Sequence, residues 1–120
     1  MDNISYIGVE ILTKHKDNIT IITINGSLDS STAGEFTRVI DQCISNGDTR
    51  FIINVSDLKF ISSAGLSSFV APSKKLHAQG GKLLFVAMTE RIERIFKMAG
   101  FYNTLFRVYD SEESALKAIE

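Results

Sequence analysis

Two adjacent hydroxyls, Ser62 and Ser63, are the side chains best placed to do chemistry in this chain. They follow Phe51-Ile52-Ile53-Asn54-Val55, an apolar run rich in β-branched residues that reads as a buried strand. They precede Leu66, Phe69, Val70, Ser73 and Leu76, which are spaced for one face of a helix. A helix start exposes unpaired backbone N–H groups and the positive end of the helix dipole. A hydroxyl there can cap the helix, and a phosphate there is stabilised. The pattern suits a reversible phosphate mark. On the residues alone, the default reading of Ser63 is a plain N-cap.

Other reactive residue types offer less. Ser62-Ser63-Ala64-Gly65 is not the Gly-x-Ser-x-Gly elbow of a hydrolase, and neither His15 nor His77 is near it in sequence, so a catalytic Ser63 has little support. Nothing matches a phosphate-cradling Gly-x-x-x-x-Gly-Lys-Ser/Thr loop, and no cofactor is expected. The two histidines lack a metal-like cluster. Lys74, Lys75, His77 and Lys82 form a mild basic patch that reads as a solvated face. Ser67 and Ser68 fall within the helix. Cys43 lies on an apolar stripe and reads as core. Asp57 is a candidate turn residue whose carboxylate accepts backbone hydrogen bonds. Gly65 suits close packing where the helix begins.

These residues are positioned by a regular succession of elements. Val9 to His15 and Ile19 to Ile24 read as strands joined by a tight turn at Lys16-Asp17-Asn18. Residues 32–46 carry Phe36, Val39, Ile40, Cys43 and Ile44, a full helical stripe. Ser31 or Thr32 can cap it, Thr32 with Glu35 has capping-box spacing, and Asn46-Gly47 stops it. After the helix that follows Ser63, Gly80-Gly81 leads into a strand from Lys82 to Met88. Thr89 can cap a helix carrying Ile92, Ile95, Phe96 and Ala99. Leu105 to Tyr109 is a last short strand. Asp110 and Glu113 have capping-box spacing before Ala115, Leu116 and Ile119. Pro72 predicts a kink or break between Val70 and Ser73. Strand–helix–strand units give parallel neighbours through right-handed crossovers. The expected fold is α/β: a mixed four- to five-stranded sheet with a parallel core, an initial hairpin and about four helices mainly on one face.

The chain has 120 residues with 44% hydrophobic and 22% charged residues, which fits one domain spanning 1–120. A domain of this size buries about two-thirds of its unfolded surface. With 13 basic and 14 acidic residues, no global field attracts nucleic acid or anionic lipid. The apolar runs are too short to span a bilayer, and Met-Asp-Asn-Ile-Ser has no signal-peptide character. The single cysteine excludes an internal disulfide and fits a reducing compartment. A cytoplasmic location is expected, with no membrane insertion and no direct nucleic-acid partner.

Asp57-Leu58-Lys59-Phe60-Ile61-Ser62-Ser63-Ala64-Gly65-Leu66 resembles the phosphorylation-site loop of the anti-sigma-factor antagonists, bacterial members of the STAS family. Gly26-Ser27-Leu28-Asp29, Gly80-Gly81-Lys82-Leu83-Leu84 and Arg94-Ile95-Phe96-Lys97-Met98-Ala99-Gly100-Phe101 agree in order and spacing, so the resemblance runs over residues 8 to 118. Matching Asn54, Asp57, Leu58, Phe60, Gly65 and Leu66 puts Ser63 on the phosphoacceptor. Sporulation-type members carry Asp before the acceptor and Ser or Thr after it. Here Ser62 and Ala64 stand in those places, which alters the local charge and makes Ser62 a rival acceptor. The resemblance makes Gly26 and Asp57 turn residues. It puts a partner-binding rim on Asp29, Ser62, Ser63, Ala64, Gly65 and Leu66, with Asp29 serving also as a capping carboxylate. It implies a phosphorylation-switched binding module, not an enzyme. The partners would be a serine-kinase anti-sigma factor and a resetting serine phosphatase. The alternative within the same family is an unphosphorylated STAS subunit regulating a transporter ATPase.

Overall fold

The computed structural model describes residues 2–6 and 8–119, with side chains from residue 8 onward. Strands β1 (Asp2–Tyr6), β2 (Val9–Lys16) and β3 (Ile19–Leu28) form an antiparallel meander. The β2–β3 turn is the expected tight one. Asp17 and Asn18 both have positive φ, 52° and 68°, the geometry of a two-residue hairpin whose twist matches its strands. Helix α1 (Ala33–Ser45) then leads to β4 (Arg50–Asn54). There follow β5 (Leu58–Ile61), α2 (Ser63–Ala78), β6 (Lys82–Val86), α3 (Glu90–Met98), β7 (Arg107–Tyr109) and α4 (Glu112–Ile119). The sheet order is β1-β2-β3-β4-β6-β7, and β4, β6 and β7 run parallel to β3. The mixed sheet with a parallel core, its opening hairpin and its four helices are as expected. Two strands, β1 and β5, come in addition. Each is short, and β5 buries only its end residues Leu58 and Ile61, so neither shows an alternating pattern over a useful length.

β5 is the element that builds the site. The long strand β3 has two parallel partners on one edge. Thr20–Thr23 pair with Phe51–Asn54 of β4, and Gly26–Leu28 pair with Leu58–Ile61 of β5. The register shifts between Gly26 and Ser27. Gly26 is required there. Its φ is +105°, and a β-carbon would overlap the carbonyl of Gly8, which accepts from the Ser27 N–H at 2.8 Å.

Alternation along the strands divides the core. Ile22, Ile24, Phe51, Ile53, Leu83 and Phe85 face α1, α2 and α3. Ile19, Ile21, Ile52, Leu84 and Val86 face Ala115 and Ile119 of α4. Three helices on one face and one on the other satisfy the expected bias. Phe69 of α2 is fully buried at the centre of the larger core, with its ring centroid 4.9 Å from those of both Phe36 and Phe85. This contact locks the axial position of α2 and so the height of its first turn.

Several local expectations are corrected. Helix α2 runs unbroken through Pro72. The Pro72 ring is buried, and it lines the interface with α1. Tertiary packing therefore outweighs the lost backbone bond. The Thr32–Glu35 capping box does not form. Thr32 makes no side-chain cap, because its hydroxyl is committed to the preceding turn, and Glu35 pairs with Arg38 at 2.8 Å. At α4 the cap is Ser111, whose Oγ accepts from the Ser114 N–H at 3.1 Å, one residue past Asp110. Thr89 caps α3 as expected, accepting from the Ile92 N–H at 3.3 Å.

Candidate functional site

The strands β3 and β5 end side by side, and the site lies just beyond their carboxyl ends. Leu28 is in register with Ile61, and the Ser62 N–H donates to the Leu28 carbonyl at 3.0 Å. Asp29 and Ser62 are therefore the first residues past two hydrogen-bonded neighbours. This is the rim where open α/β sheets place their sites.

The two serines have different roles. Ser62 is the N-cap of α2, in extended conformation, and its Oγ accepts from the Gly65 N–H at 3.3 Å. The plain-capping role open to Ser63 thus belongs to its neighbour. Ser63 is the first helical residue and is exposed, whereas Ser62 is half-buried. The N–H groups of Gly65 and Leu66 both return to Ser62, the second to its carbonyl at 2.9 Å. The N–H groups of Ser63 and Ala64 have no partner among the described residues. They are the orphan donors of a helix start, and they lie beside the Ser63 hydroxyl.

Gly65 is fully packed. A β-carbon there would overlap the Leu28 carbonyl oxygen and lie 2.7 Å from Ile61 Cγ1. The absence of a side chain lets the α2 start sit directly on the ends of β3 and β5. Leu66 is buried in the core, so of the expected rim residues Leu66 and Gly65 set the position and Ser63 is the exposed one. Ala64 is half-buried.

Asp29 organises the opposite side of the rim. Its Oδ1 accepts from the Ser31 hydroxyl at 2.7 Å, the Ser31 N–H at 2.9 Å and the Thr32 hydroxyl at 3.3 Å. The Thr32 Oγ in turn accepts from the Asp29 N–H at 2.9 Å and donates to the Ser27 carbonyl at 2.8 Å. Its carboxylate closes the turn ahead of α1 and does not reach the helix N–H groups. The Ser31 hydroxyl first, and its N–H second, hold the Asp29 carboxyl below its ordinary value, against a smaller opposing effect of burial. Asp29 therefore stays ionised on the rim at neutral pH.

Asp57 acts differently from expectation. It is its main-chain carbonyl that matters, accepting from the Gly26 N–H at 3.0 Å. The side-chain acceptor of this turn is Asn54, whose Oδ1 takes the Ser56 N–H at 2.9 Å while its Nδ2 donates to Glu112 at 2.9 Å. Asn54 and Thr32 are site-shaping residues that sequence reasoning did not assign. Their signals were present, an Asn two residues before Ser-Asp and a Thr three residues after an Asp. A groove of about 530 Å³ runs from the rim between α1 and α2, past Gly34, Ala64, Ser67 and Ala71. These small residues gave no apolar stripe to notice. Phe60 of β5, 47% exposed, stands close in sequence to Ser63. Among the described residues no group of His, Cys, Asp and Glu could hold a metal, and no helix is long and apolar enough to cross a membrane.

A family model described as the STAS domain matches residues 10–115. The chain belongs to the STAS family. Among curated relatives, this STAS domain is 26% identical over 93 residues to the anti-sigma-B factor antagonist of Staphylococcus aureus, covering 78% of this chain and 86% of that one. Among solved structures, it is similar to an anti-sigma factor antagonist from Mycobacterium paratuberculosis, with a TM-score of 0.84, 23% identity and coverage of 92% and 93%. It is also similar to the Bacillus cell fate determinant SpoIIAA in its phosphorylated form, with a TM-score of 0.71, 20% identity and coverage of 92% and 99%. These two structural likenesses speak to the fold.

Proposed function

We propose that this STAS domain is an anti-sigma factor antagonist whose partner binding is switched off by phosphate on Ser63. The observation that carries the reading is the division of labour at the α2 start. Ser62 supplies the cap, so Ser63 is left exposed beside two unpartnered N–H groups. Modification there adds about −1.5 to −2 charges at pH 7. The helix start tolerates this charge electrostatically, so the mark changes the surface without unfolding it. The partner in this reading is a serine-kinase anti-sigma factor that covers the Asp29–Ser63 rim, and a serine phosphatase resets the mark. Binding of unphosphorylated protein would release the sigma factor. The phosphate opposes binding because a dianion must be desolvated in the interface without a counter-charge.

The test is incubation with a candidate kinase anti-sigma factor and ATP, read by intact mass. One phosphate is expected on the wild type and none on Ser63→Ala. Full modification of Ser63→Ala, with loss in Ser62→Ala, would overturn the assignment in favour of Ser62.

A further inference from the structure

We propose that the cleft between the C-terminal half of α2 and the β6–β7 edge binds a small phosphate ester. Two adjoining cavities, about 340 and 510 Å³, share Ser73, His77, Leu105 and Arg107 in their walls. Such volumes suit a small ligand. Lys74 and Lys82 add two more cationic side chains, and none of the described lining residues is a carboxylate.

That composition departs from the chain as a whole, in which 13 basic and 14 acidic residues nearly balance. Lys14, His15, Arg38, Lys97 and Lys117, outside the cleft, each pair with a carboxylate. Lys74, Lys82 and Arg107 are in no ion pair among the described residues. Three like charges around one concavity raise its potential, and an anion relieves their repulsion. The planar fork of Arg107 matches two oxygens of a phosphate, and the lysines act as point charges around it. The ester part of the assignment comes from the remaining wall. Leu105 is 40% exposed on the cleft, and the half-buried Tyr109 ring borders the first cavity. An apolar substituent on the phosphate would cover them.

The cleft is independent of the Ser63 rim. Ser73 lies roughly 15 Å along the α2 axis from Ser63, at 1.5 Å per residue. Failure of the partner-switch reading therefore leaves this one standing, and the reverse.

The test is an amide-resolved NMR titration of the full chain at low salt with phenyl phosphate and with inorganic phosphate. Saturable shifts are expected at His77, Gly81, Lys82 and Arg107. Phenyl phosphate should bind severalfold more tightly than inorganic phosphate. Arg107→Gln should weaken binding at least tenfold and Lys82→Gln severalfold, while Lys59→Gln, which removes a charge elsewhere, should not. Circular dichroism of each variant checks the fold, and Lys82→Gln carries the test if Arg107→Gln is unfolded. Equal losses in all three variants, or no saturation, would overturn the site. Equal affinity for the two phosphates would overturn the ester. Saturation by a polyglutamate peptide with no response to phenyl phosphate would overturn it in favour of an acidic protein segment.

Discussion

The backbone of Gly65 rests against the carbonyl of Leu28 so closely that a β-carbon would overlap the oxygen. The same carbonyl accepts the Ser62 N–H. One oxygen at the end of β3 thus locates both the cap of α2 and its first turn. Gly65→Ala forces either the helix start or the strand end to move. Overpacking of this kind costs about 1–3 kcal/mol. Chemical denaturation should show that loss. Because Ser63 is displaced with the helix, phosphorylation should slow too. Wild-type stability for Gly65→Ala would mean that the junction is looser than the structure shows.

Ser62→Ala and Ser63→Ala should separate structure from modification. Removing the Ser62 hydroxyl leaves the Gly65 N–H unsatisfied and costs about 1 kcal/mol. Removing the Ser63 hydroxyl should change stability by less than about 0.5 kcal/mol, as for other exposed positions. Melting curves of the two variants decide this. The reverse ranking would show that Ser63 is the cap.

Ser63→Asp places a carboxylate at the first position of α2, where the dipole favours it by about 0.3–1 kcal/mol. Its melting temperature should equal or exceed that of the wild type. Calorimetric titration against the cognate anti-sigma factor should show a marked loss of affinity, with Asp29→Ala weakened less and Ser63→Ala binding constitutively. Undiminished affinity in both Asp29→Ala and Ser63→Asp would move the docking surface off the rim.

Asp29 gives the rim a pH signature. Its carboxyl is held below 3.8 in the folded state, chiefly by Ser31. A depressed value means that the folded state prefers the ionised form. The resulting stability is fully present above the unfolded value and is lost as pH falls through the folded one. Wild-type stability should therefore decline from about pH 4 downward, and Asp29→Asn should remove part of that slope. Denaturant midpoints measured across this range test it. Identical slopes would show that the Ser31 contacts do not favour the ionised carboxylate.

The order of the elements other than β1 and β5, the hairpin turn, the buried stripe of α1 and the position of Ser63 at a strand-to-helix junction were legible in the chain. They rest on local physics: side-chain periodicity, turn chemistry and the conformational freedom of glycine. What a linear reading could not supply was competition for the same donors and acceptors. Both Ser62 and Ser63 can cap a helix. Only the docking of α2 on Leu28 turns Ser62 toward the Gly65 N–H and leaves Ser63 outside. Thr32 has capping-box spacing, yet its hydroxyl is drawn to Ser27 and Asp29 by the turn that brings them near. Pro72 reads as a helix breaker, but burial against α1 outweighs a single missing hydrogen bond. β5 is too short to announce itself and pairs where β3 runs on past the end of β4 and leaves the same edge open. Local preferences name the candidates for each role. The long-range contacts decide among them, because each donor or acceptor can be used only where the fold places its partner.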